Sequence, residues 1–357
     1  MRRLLLLLAL MLPGLAAAQP VLNVYNWTDY IDIRAVERFQ RETGIRVRYD
    51  VYDSLETLEG KLSAGRSGYD IVVPTSEPTF ARLVRAGALR PFDAARIPNL
   101  ANLDATLMAR VAGIDPGNRH GAIYLWGTVG LALRQDRVRA LAPDAADAGL
   151  DLLLKPENAR RLARCGLAVM DSATDVLPTV LRWLGRDPDS GAAEDLRAAE
   201  QALLAIRPHL RAIPGSGALV DMLATGEICA ALTYSGDVIQ AGARARNGVV
   251  LHYVTPAAGA HLSFDMLAIP ADAPNPQAAQ AFINFLLQPD VMAGITSTVR
   301  YPNAVPASRA LVEPAVRDDP NVYPPAEVLA QAFIPGTPAA AVERARNRLW
   351  SRFKAGR

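Results

Sequence analysis

Cysteine and histidine are scarce: the 357 residues contain two of the first and four of the second. His120, His209, His252 and His261 are scattered, no pair has metal-ligand spacing, and no metal site is expected. No glycine-rich phosphate loop follows any apolar run, and the PGSG at 214–217 lacks the G-x-S-x-G pattern of a nucleophile elbow. Neither a catalytic nucleophile nor a cofactor is therefore expected. Two carboxylates such as Asp29 and Asp265 would still permit a glycosidase, but that reading does not explain why the acids come with aromatic residues and without histidine. Excess charge is lacking as well. Lys and Arg number 38 against 36 acids, and Arg2 and Arg3 account for the difference of +2. A nucleic-acid groove or a strongly anionic partner is not implied. Beyond the first eighteen residues, no run is apolar and long enough to span a bilayer.

What is present begins with an address. Residues 1–18, MRRLLLLLALMLPGLAAA, have two arginines, a Leu-rich run broken by Pro13 and a small-residue end. This is the pattern of a secretory signal peptide cut before Gln19, and no Cys at the cut offers a lipid anchor. The expected compartment is the periplasm. In an exported chain an even cysteine count makes one disulfide, Cys165 to Cys229, the default expectation, with two buried free thiols as the alternative. The remaining 339 residues, half of the whole chain being apolar, can fill two domain cores.

The order of elements indicates an α/β fold. An apolar run at 22–27 is followed by Ile33, Val36 and Phe39 at helical spacing, with Asp32 placed to cap and Gly44 to stop. The alternating 45-IRVRYDV-51 reads as a strand. Ser54 caps a second helix, and the continuous 70-DIVVPTS-76 suits a central parallel strand. The same grammar returns: strands at 122–133, 166–172, 228–237 and 248–254, with helices at 157–163, 175–184 and 195–206. Ligands of open α/β sheets sit beyond the carboxyl ends of strands. Four such ends carry suggestive residues: Trp27-Thr28-Asp29, Thr75-Ser76, Tyr234 with Asp237, and Phe264-Asp265. Singly, each acid reads as a helix cap and each ring as core edge. Together, three acids and several rings with no basic residue among them predict an acidic, aromatic-walled cleft for an organic cation.

The stretches 24-VYNWTDYI-31, 41-RETGIRVRYDVYDSLETLEGKLSAG-65, 69-YDIVVPTS-76, 126-WGTVGL-131, 152-LLLKPEN-158, 228-ICAALTYSGDV-238, 264-FDMLAIPADA-273, 284-NFLLQPDV-291 and 321-NVYPP-325 run in order through nearly the whole exported chain. They resemble the periplasmic polyamine-binding proteins of ABC importers, and within that family the putrescine-binding branch. The resemblance implies a two-lobed type II periplasmic binding fold with an interlobe cleft. It implies a first lobe from 19–126 and 262–306 and a second from 127–261 and 307–357, with crossings near 124–128 and 258–263. It further implies a monomeric receptor that captures putrescine, spermidine or a related amine and hands it to an inner-membrane permease. A polyamine sensor without transport is the alternative on the same fold.

Carried over by position, the resemblance makes Trp27, Thr28, Asp29, Tyr30, Thr75, Ser216, Asp237, Asp265 and Tyr301 ligand-binding residues. Three positions depart from the putrescine branch. Tyr234 stands where a Trp is usual, Ser263 stands where a ring precedes the returning acid, and 171-DSATD-175 offers Thr174 at the aligned acid position with Asp175 beside it. A linear diamine explains the pairing of rings with acids. Its ammonium ends need carboxylates once water is excluded, and its methylenes need apolar walls.

Overall fold

The computed structural model describes residues 20–356; the expected signal peptide, 1–18, lies outside the described residues. Strand β1 (Val21–Trp27) leads into helix α1 (Ile33–Thr43). Asp32 caps α1 by accepting from the Arg34 N–H at 3.0 Å, and Gly44 ends it in the left-handed region at φ 71°. Ala35, Val36 and Phe39 form its buried face. Strand β2 (Arg46–Tyr52) pairs parallel with β1 through seven residues, and Ser54 caps helix α2 (Leu55–Ser63) by accepting from the Thr57 N–H. Strand β3 is only Ile71–Val72, because the chain turns away at Pro74 after pairing with β1.

Strand β4 (Gly121–Leu133) is buried along all thirteen residues. It organises the molecule because it changes partners midway. Residues 121–129 pair antiparallel with β8 (His261–Ala268), and 129–133 pair antiparallel with β6 (Ala230–Tyr234). Strand β5 (Leu167–Val169) adds parallel to β6, and β7 (His252–Val254) pairs with the end of β4. The whole is one mixed sheet in the order β2-β1-β3-β8-β4-β6-β5. Parallel pairs occupy its two ends and antiparallel crossing strands its middle, so β3, expected as a central parallel strand, pairs parallel with β1 and antiparallel with β8.

Two sets of cores flank that crossing. Val129, Leu131 and Leu133 pack with Leu167, Leu177, Leu203, Leu223 and Leu232 in one. Leu22, Phe39, Tyr124, Phe282 and Ile295 build another, and Phe80, Ile123, Phe264 and Met266 a third on the opposite face of the same end. Residues after 306 divide between them. Val312, Val316 and Val322 pack on Ala293, and Leu329 and Ile334 reach the third core. Leu349, Trp350 and Phe353 of the last helix, Ala340–Ala355, join the first.

Cys165 and Cys229 form a disulfide with their Cα atoms 5.5 Å apart, tying the starts of β5 and β6 and closing a loop of sequence separation 64. On the chain-entropy model, a closed loop of that length stabilises by up to about 4 kcal/mol. Replacing both cysteines by Ala is expected to lower unfolding stability by roughly 2–4 kcal/mol, read from urea midpoints at constant slope. An unchanged midpoint would show that the bridge is thermodynamically idle.

Candidate functional site

The cleft lies where β1, β2 and β3 end and where β4 and β8 cross. It holds about 690 Å³, its solvent-open mouth included, and eleven of the thirteen expected residues line it: Trp27, Thr28, Asp29, Tyr30, Thr75, Ser216, Tyr234, Asp237, Ser263, Asp265 and Tyr301.

Asp265 is not at a strand end, as its sequence context suggests, but in the middle of β8. It is exposed to the cleft because β3 stops short, leaving only the Thr75–Asp265 bridge, and because the β4–β8 register shifts between Ile123 and Leu125. The Tyr30 hydroxyl donates to Asp265 Oδ2 at 2.7 Å and the Thr75 hydroxyl to Oδ1 at 2.9 Å. Burial pushes its pKa up to about 6, against the pull of those two donors. The Trp27 indole N–H, near enough to favour the ionised form, makes no hydrogen bond.

Asp237 is likewise displaced from its expected strand end. β6 ends at Tyr234, and Asp237 lies in the first turn of helix Ser235–Arg244. Three hydroxyls hold it. Ser216 and Thr233 donate to Oδ2 at 2.8 and 2.9 Å, and Tyr301 donates to Oδ1 at 2.8 Å. Burial again dominates and pushes its pKa up to about 6. Tyr301 reaches it across the crossing strands because Gly127 and Gly236 leave room. A Cβ at Gly127 would stand 3.0 Å from the ring, and one at Gly236 would overlap it.

Asp29 departs from expectation in a different way. It sits just past β1 at φ 55°, half exposed, and the Arg244 guanidinium donates to Oδ2 at 2.9 Å. The cleft mouth therefore does contain a basic residue, and this acid is already paired. The Thr28 hydroxyl is also engaged, donating to the Tyr52 carbonyl at 3.3 Å.

Thr174 and Asp175 do not line the cleft itself. Both line an adjoining pocket that shares Trp27, Asp53, Ser216 and Tyr234 with it. Asp175 is the buried one of the pair. It accepts from Tyr234 at 2.7 Å, from Thr174 at 3.3 Å and from Ser172, so the smaller ring at 234 is anchored by an acid from behind. His261 Nδ1 stands 3.5 Å from Asp175, and burial pushes the pKa of that imidazole down. Ser263 faces Gly127 across the crossing strands.

Tyr52, Asp53, Gly127, Gly217, Val220 and Gln240 also line the cleft and were not expected. The Tyr52 ring lies 4.6 Å from Trp27, tilted 49°, and extends the aromatic wall. Tyr52 ends β2 and Asp53 follows it, so the strand-end rule that found Asp29 applied equally to them. Gln240 follows Asp237 by one helical turn, and its amide oxygen accepts from Arg244 at 3.3 Å.

A cleft between two α/β lobes, lined by Asp237 and Asp265, which hydroxyls hold and which make no ion pair among the described residues, defines a solute-binding protein of the two-lobed periplasmic type. The chain belongs to the family described as bacterial extracellular solute-binding protein, whose model matches residues 34–324. It is 45% identical to the putrescine-binding periplasmic protein SpuD of Pseudomonas aeruginosa, over 96% of this chain and 94% of that one. It is 43% identical to the putrescine-binding periplasmic protein PotF of Escherichia coli K12, over 98% and 96%. Among solved structures, the spermidine/putrescine ABC transporter substrate-binding protein PotD of Streptococcus pneumoniae superposes with a TM-score of 0.77 at 27% identity, covering 94% of this chain and 99% of that one. The names of these relatives describe binding and transport rather than catalysis.

Proposed function

We propose that this protein is a periplasmic receptor that captures a linear di- or polyamine in the cleft and delivers it to an inner-membrane ABC importer. The observation that carries the reading is the pair Asp237 and Asp265. Asp237 is buried and Asp265 is part-buried at the cleft wall, each is held by hydroxyl donors, and neither makes an ion pair among the described residues. A buried carboxylate left without a cation is costly, and an ammonium supplies what is missing. Trp27, Tyr30, Tyr52, Tyr234 and Tyr301 give the methylenes their walls and add cation–π attraction of about 2 kcal/mol where water is excluded. On this reading the lobes are 19–126 with 262–306, and 127–261 with the last helix, the segment between 306 and 340 touching both, with Leu329 and Ile334 on the first and the Gly336 N–H donating to Asp189 of the second.

A thermal-shift panel of putrescine, cadaverine, spermidine, spermine and agmatine, with amino acids as controls, tests the proposal. The preferred amine at one hundred times its dissociation constant is expected to add about 2.7 kcal/mol of stability. Stabilisation by an amino acid and by none of the amines would end the amine reading.

Ser263 and Tyr234 replace larger rings of the putrescine branch, and the pocket behind Tyr234 opens from the same walls. Less ring area means weaker contact with a short diamine and more room for a longer or bulkier amine. Tyr234→Trp with Ser263→Phe is expected to shift preference toward putrescine by roughly tenfold relative to spermidine, about 1.4 kcal/mol. An unchanged ranking by calorimetry would show that these positions do not set specificity.

A further inference from the structure

At the far end of β6 from Tyr234, about 13 Å along the strand, a depression of about 540 Å³ is lined by Arg134, Arg137, Arg164 and Arg211 around the Cys165–Cys229 disulfide. Four arginines line it, Arg134 part-buried and Arg137, Arg164 and Arg211 exposed, in a protein whose exported charge is balanced. Their local compensation is small. Asp136 accepts from Arg134 at 3.0 Å and lies 3.8 Å from Arg137. Arg164 and Arg211 have no ion pair or side-chain hydrogen bond among the described residues, and Glu227, also in the lining, pairs with none of the four.

Arg134 is held rather than loose, whereas Arg211 is exposed and its side chain is unpartnered among the described residues. The Arg134 side chain is 12% exposed, and its Nε is buried without an acceptor. Gly226, at φ +74°, admits Arg134, since a Cβ there would lie 2.8 Å from Nη1. Gly166, at φ +90°, admits Arg211 in the same way, since a Cβ there would lie 2.9 Å from Nε. Two left-handed glycines thus let guanidinium groups lie against the backbone at the pocket floor. Guanidinium is a rigid fork of N–H donors suited to bidentate contact with oxyanions. A tetrahedral dianion can accept from several forks at once, which one carboxylate cannot.

We propose that this depression is a binding site for a small, multiply charged oxyanion of the phosphate class, separate from the amine cleft. The inference stands whether or not the amine reading does. Calorimetry on the amine-free exported protein, with inorganic phosphate and then pyrophosphate at pH 7.5 and ionic strength fixed with sodium chloride, is the test. Saturable one-to-one binding is expected, tighter for pyrophosphate. Arg164→Gln with Arg211→Gln is expected to weaken it at least tenfold while leaving the affinity of the preferred amine within about twofold; each single variant keeps the test open should the double variant not fold. No saturable heat beyond that of chloride, or equal binding by the variants, overturns the proposal. So does sedimentation with phosphatidylglycerol vesicles without binding of either free ion, since the patch would then be a membrane contact.

Discussion

Asp265→Asn is expected to weaken binding of the preferred amine by about two to three and a half orders of magnitude, the roughly 3–5 kcal/mol that breaking a buried ion pair costs. The substitution keeps the size of the side chain and an oxygen for one of the Tyr30 and Thr75 hydroxyls, the other turning to accept from the new amide N–H, and it removes the charge proposed to meet the ammonium. A purely structural Asp265 would behave differently, losing stability and little affinity. Here the ligand-free variant is expected to be at least as stable as the wild type at pH 7.5, because burial already disfavours the carboxylate, as its pKa of about 6 records. Calorimetry and thermal unfolding on the two proteins check both halves. An affinity within a few-fold of wild type would transfer the ammonium to Asp237.

Acidification is the second large effect. Asp237 and Asp265 both have pKa values pushed up to about 6 by burial, and both must be ionised to meet a cation. Amine affinity is expected to be flat above pH 7 and to fall about tenfold per acid, hence on the order of a hundredfold, by pH 5. The stability of the ligand-free protein moves the opposite way. A carboxyl whose folded pKa exceeds its unfolded value of about 3.9 holds more protons when folded, so its contribution to stability grows as pH falls through 6 and is lost as pH rises. The gap between the folded and unfolded values corresponds to about 3 kcal/mol per acid. Subtracting the pH profiles of Asp237→Asn and Asp265→Asn from that of the wild type isolates each acid from the remaining titrating groups. An affinity unchanged from pH 7.5 to pH 5 would exclude these two carboxylates as the ammonium's partners.

Much of this site was legible because it is local. Asp32 and Gly44 bound α1 through capping and a left-handed stop, which are properties of one turn of chain. The acids and rings of the cleft stood out because strand ends concentrate binding groups. Legibility failed where long-range partners decide. Asp237 continues an apolar run that reads as strand, yet the chain turns into a helix at Ser235, and Asp265 becomes accessible only because a different strand, β3, stops after two residues. The Asp29–Arg244 pair joins residues 215 apart and leaves no periodic trace. Family resemblance offered Thr174 at the aligned acid position with Asp175 beside it; neither lines the cleft, and only packing shows that Asp175 is the buried one, which three hydroxyl groups address.

The crossing between the two ends of the sheet is made by paired strands rather than by free linkers, and Gly127, Ser263 and Asp265 sit on those strands, with Tyr234 opposite Val129 at their edge. Any rotation of one lobe against the other must put torsion into this same ribbon. The residues that line the cleft and the backbone that would flex are then a single mechanical part, and on the proposed function an occupant leaning on Ser263 or Asp265 would load the pivot directly, with no relay through distant side chains. Exchanging side chains on the ribbon retunes what the cleft accepts while its main-chain ladder, which carries the stiffness, stays as it is.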